Sequence, residues 1–106
     1  MKIGVVIMKD KKILIEMKNI IEDYLDNKCD SVETVDKLIH VINLDVIYAP
    51  GTDMMTTDCY YAIKHLTETG YETTKVELAY FRDCINGMRI YDVDEKNELI
   101  RKTIKG

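Results

Sequence analysis

The chain has no tryptophan, one proline (Pro50), one phenylalanine and two histidines. So few histidines, with His40 and His65 far apart and no spaced partner, leave no pattern of metal ligands or of a nucleophile with its base. Three cysteines, Cys29, Cys59 and Cys84, are odd in number and scattered, with no C-x-x-C pair. A disulfide framework or zinc knuckle is therefore not expected, and a reducing cytoplasm suits the chain better. No apolar run approaches the roughly 20 residues that span a bilayer. The opening run Ile3–Met8 is too short for the apolar part of a signal peptide before charge resumes at Lys9. Basic excess is missing too: 15 Lys and Arg stand against 19 Asp and Glu, a net charge of −4. Nucleic-acid binding, which needs a basic face, is not expected.

What is present is an ordinary globular composition, 46% hydrophobic and 32% charged over 106 residues. This is the size and make-up of one domain, residues 1–106, able to bury a core without staples. There is no internal repeat, linker or low-complexity segment.

The stretch Leu44 to Gly70 organises the rest. Asp45 to Ala49 holds Val46, Ile47 and Tyr48 in near-continuous apolar order, which suits a buried strand. Pro50 stops ladder pairing and Gly51 allows a turn. Thr52 or Asp53 is a good N-cap for a helix beginning at Met54. Met55, Cys59, Ala62, Ile63 and Leu66 then recur at helical spacing, and Gly70 marks the stop.

Before this stretch, Ile3–Met8 reads as a central strand, with Asp10 at its end as the cap of a helix. Ile13, Met17, Ile20, Ile21, Tyr24 and Leu25 mark one face of that amphipathic helix, ended by Asn27 and Lys28. Ser31–Val35 has strand propensity and Lys37–Leu44 the spacing of a short helix. The rival is one helix over residues 30–42, opened by an Asp30–Glu33 capping box. Beyond Gly70, Asn86-Gly87 between apolar runs signals a hairpin over residues 74–93. Its rival is a helix opened by Thr74, with Glu77 three residues on, and closed by Gly87. Glu95–Lys105 reads as a terminal helix.

This order predicts an α/β fold: a small doubly wound, mostly parallel sheet with helices on both faces and a C-terminal β-hairpin, with α+β as the alternative. The first two-thirds, with an apolar first strand, a helix, a short strand and then Asp45-Val46-Ile47-Tyr48-Ala49-Pro50-Gly51, resembles flavodoxin-like and response-regulator-like folds. The motifs of those families are missing. Ala49 and Pro50 stand where a phosphoacceptor aspartate belongs, and no phosphate loop comes after the first strand.

In such a sheet a ligand sits beyond the carboxyl ends of the first and third strands. That places Asp10 beside Gly51, Thr52 and Asp53, where carboxylates and free helix N–H groups could engage a nucleotide-like or sugar-phosphate ligand, with Mg²⁺ possible and no other cofactor expected. The plainer account makes Asp10 and Asp53 N-caps. Tyr60 and Tyr61 adjoin, so at least one must leave the buried stripe and become an interface anchor. Arg82, Arg89 and Tyr91 would share a hairpin face with Tyr80 and complete the expected interface, the arginines binding a phosphate or a partner's carboxylate. Two functions are compatible with these residues. The favoured one is a non-enzymatic binding or regulatory module acting through protein–protein contact, with itself as a possible partner in a homodimer. The alternative is a small enzyme or sensor using Asp10, Thr52 and Asp53.

Overall fold

The computed structural model describes the backbone of residues 2–70 and 72–105 and the side chains of residues 12–70 and 72–102. Among the described residues there is no strand. The order is α1 (Lys2–Leu25), α2 (Ser31–Val41), α3 (Leu44–Ile47), α4 (Met54–Lys64) with a 3-10 turn at His65–Thr67, α5 (Lys75–Ile85) and α6 (Val93–Lys105). The protein is all-α. The flavodoxin-like parallel sheet, its C-terminal hairpin and the α+β alternative are all overturned.

Each misread strand has a local reason. The backbone of residues 3–8 is the start of α1, which runs on unbroken through Leu25; the side chains there lie outside those described. Ser31–Val35 opens α2 because Asp30 and Glu33 close a capping box. The Glu33 N–H donates to Asp30 Oδ1 at 2.8 Å and the Asp30 N–H donates to Glu33 Oε1 at 3.0 Å. Two orphan donors are satisfied at once, which outweighs the β-propensity of Val32 and Val35. The Leu44–Ile47 turn replaces the expected buried strand at 45–49. Asn43 caps it, accepting from the Asp45 N–H, and Tyr48 ends 66% exposed instead of buried.

The hairpin over 74–93 fails on facing. Pairing across Asn86-Gly87 gives neither face a clean apolar row, whereas a helix gathers Leu78, Phe81 and Ile85 onto the core. Thr74 caps α5, taking the Glu77 N–H. Gly87, at φ +78°, then closes it as a left-handed C-terminal residue. The Met88 N–H donates to the Asp83 carbonyl and the Gly87 N–H to the Cys84 carbonyl, the two bonds of a Schellman motif. The end of α1 repeats this, with Asn27 at φ +63°, Lys28 bonding Asp23 and Asn27 bonding Tyr24.

α1 packs against α2, α4 and α5; α4 also meets α2, α3 and α5, and α6 lies along α5. The shared core holds Met17, Ile21, Leu38, Ile63, Leu78 and Phe81, each fully buried. The apolar stripes expected on α1 and α4 are the ones it uses. α4 therefore presents one face to the core and leaves Met54, Thr57, Asp58, Tyr61 and Lys64 on the other.

Candidate functional site

That outward face of α4 is where chemistry gathers. Residues 54, 57, 58 and 61 recur at helical spacing and so line one side. Together with Tyr91, from the α5–α6 connection, and Val93, the first residue of α6, they enclose a largely apolar depression of about 310 Å³. Met54 is 66% exposed at its edge. Tyr48, equally exposed at the end of α3, hydrogen-bonds through its hydroxyl to that of Tyr61.

Behind it, joined to the depression through Asp58 and Tyr91, lies a charge cluster drawn from three helices. Lys96 reaches in from α6 and is only 5% exposed. Its Nζ donates to Asp58 Oδ2 on α4 at 2.6 Å and to Glu77 Oε2 on α5 at 3.1 Å. It also lies 5.1 Å from the centre of the Phe81 ring. The Tyr91 hydroxyl donates to the same Asp58 Oδ2 at 2.7 Å. Burial works against the charge on Lys96, but its hydrogen bond to Asp58 and the charge of Glu77 outweigh it and raise the pKa above the ordinary lysine value. Burial, then the hydrogen bond to Asp58, push the Tyr91 hydroxyl upward as well.

Tyr80 fixes the loop that carries Tyr91. Its hydroxyl accepts the Asp92 N–H at 2.7 Å and faces the Asp92 carbonyl at 3.0 Å. Burial lifts its pKa to about 12. Asp92 in turn caps α6 through the N–H groups of Asp94 and Glu95. The wall of the depression is thus tied to α4 and α5 by polar contacts.

Cys59, next to Asp58, faces inward and is fully buried. Burial and the charges of Asp58 and Glu77 hold its thiol well above the usual range, so it is not an activated nucleophile. Among the described residues no group of three or more His, Cys, Asp or Glu side chains could hold a metal ion. No helix among them is long and apolar enough to cross a membrane.

The residues expected to form a ligand crevice behave differently. The strands that were to frame it do not exist among the described residues. Residue 10 lies within the helical backbone of α1, and its side chain is outside those described. Gly51, at φ +89°, comes after Pro50 in a tight turn closed by the Thr52 N–H on the Ala49 carbonyl. The Thr52 hydroxyl donates to the Val46 carbonyl. The Asp53 carboxylate caps α4, accepting from the Thr56 N–H at 2.8 Å and the Thr56 hydroxyl at 2.6 Å.

Of the five expected interface residues, Tyr61 and Tyr91 meet in the depression, while Tyr60 is 2% exposed and packs in the core. The arginines do not join them on a hairpin face. Arg82, on α5, pairs with its neighbour Asp83. Arg89 lies over the Tyr80 ring at 5.0 Å and pairs with Glu95. Sequence reasoning missed Tyr48, Met54 and Val93, and it missed Lys96 altogether. The run Asp94-Glu95-Lys96-Asn97-Glu98 looks like a solvated face, and nothing in it marks out the one lysine that turns inward. Glu77 was noticed only for its place after Thr74.

No protein-family model matches this chain, and neither a curated protein nor a solved structure matches it.

Proposed function

We propose that this chain is a non-enzymatic binding module that acts through protein–protein contact, with Tyr48, Met54, Tyr61, Tyr91 and Val93 as its contact surface. One observation carries the reading: an apolar depression walled by two tyrosines, with a third tyrosine and a methionine two-thirds exposed beside it. Tyrosine and methionine are side chains that protein interfaces enrich, and tyrosine offers large contact area at modest entropy cost. The charge cluster behind it supports the reading, since a wall already held in place loses little freedom when a partner docks. Three free cysteines suit a reducing compartment such as the cytoplasm.

The test compares two single-residue variants of the full chain. Met54→Asp puts a charge at the edge of the depression; Asn19→Asp changes an exposed position on α1. Proteins retained by the wild type, or its self-association, are expected to be lost with Met54→Asp and kept with Asn19→Asp, at equal melting temperature. Retention that is the same for both variants would sink the proposed surface.

A further inference from the structure

Resting on that reading, we infer that the partner is a second copy of this chain, with α4 crossing α4 antiparallel about a two-fold axis at Tyr61. Three shallow depressions adjoin α4. The one walled by Met54, Tyr61 and Tyr91 shares Tyr61 with a second, bounded by Lys64, His65 and Glu68. The second shares Lys64 with a third, where Ile39, Val41 and Leu44 meet the edge of Tyr60. Tyr61 and Lys64 thus link them in a row; the exposed apolar side chains Ile39, Val41 and Leu44 line the third, Met54 lines the first, and Tyr48 reaches Tyr61.

The charges along this row are self-complementary. Both hydrogen bonds to Asp58 land on Oδ2, and among the described residues none reaches Oδ1. Lys64, half-buried, has no ion pair among the described residues, in a chain that carries more acid than base. Asp58 and Lys64 lie three residues to either side of Tyr61, so each is about 4.5 Å along the helix axis from it, in opposite directions. An antiparallel crossing centred on Tyr61 sets Asp58 of each copy against Lys64 of the other, twice per dimer. A parallel crossing sets like against like. A closed two-fold dimer requires a patch complementary to itself, and this register supplies it.

The experiment measures oligomeric state and geometry together. Sedimentation equilibrium of the full chain is expected to give a reversible dimer. Lys64→Glu, which opposes two acids at both contacts, should weaken it by about tenfold or more, while Lys64→Arg should leave it within a few-fold of wild type. In a Cys29→Ser, Cys84→Ser background, Tyr61→Cys is expected to form an interchain disulfide on mild oxidation much faster than Asn19→Cys. A wild type that stays monomeric at the highest attainable concentration overturns the dimer. If Met54→Asp still releases a different protein from that monomer, the contact surface stands and only the second copy falls. A dimer that Lys64→Glu leaves intact, or that cross-links equally well from residue 19, overturns this geometry.

Discussion

Among the described side chains of α6 Lys96 is the most deeply buried polar one, on a stretch whose neighbours Asp94, Glu95 and Asn97 are in water. A long charged side chain gives up rotamer freedom and hydration to sit 5% exposed, and two carboxylates are what make that placement stable. Removing one partner from such a cluster leaves the others uncompensated. Lys96→Met should therefore cost on the order of 3 kcal/mol in urea unfolding, near the low end for buried pairs because Asp58 keeps 27% of its side chain exposed. The loss is one of charge more than volume, since methionine refills most of the space over Phe81. A Lys96→Met variant as stable as the wild type would mean that the buried pairing contributes nothing net to the fold.

At the scale of the element, the chain shows how one local feature serves two structures. A glycine after an asparagine provides positive φ, and both a two-residue hairpin and a helix C-terminus need it. The φ of +78° at Gly87 closes α5, and Asn27 does the same for α1 at +63°. What separated the outcomes was facing: Leu78, Phe81 and Ile85 reach one core only on a helix. The cap at Asp53 was legible, and the one at Asp30 only as the rival to a strand, because a side-chain oxygen three residues before an orphan N–H is a short-range fact. The stripe on α1 was legible because it repeats over three turns. The Val46-Ile47-Tyr48 run was not, since three apolar residues fit a strand and a single helical turn equally well. A Cβ at Gly87 would meet nothing within 4 Å, so Gly87→Ala is opposed by backbone strain alone. It should lower stability by about 1–2 kcal/mol. Gly87→Asn should cost less than that, by the precedent of Asn27. Equal losses in chemical unfolding would show that the left-handed backbone is not what residue 87 contributes.

At the scale of the whole molecule, the candidate site was legible only in part, because it is assembled from segments far apart in the chain. Tyr61 and Tyr91 could be suspected as surface tyrosines, but their meeting depends on α6 being anchored to α4 through Lys96, which no local pattern encodes. The same assembly gives the fold a common response to alkali. Lys96, Tyr80, Tyr91, Cys59 and Cys84 all have pKa values raised by folding, through burial for the four neutral groups and through Asp58 and Glu77 for the lysine. A raised pKa means that the folded chain holds a proton the unfolded chain has already released. The stability these groups contribute is fully present below their unfolded values, which run from about 8.5 for cysteine through 10 for tyrosine to 10.4 for lysine. It is lost as the pH climbs from there through the folded values, reaching about 12 for Tyr80. The denaturation midpoint should hold steady up to about pH 8.5 and then fall with a slope of more than one proton. Of the seven tyrosines, Tyr80 and Tyr91 should ionise only in step with loss of helical circular dichroism. Tyrosinate absorbance that rises to completion before the helix signal changes would mean that neither hydroxyl is held by the fold, and that the wall of the depression is not anchored as described.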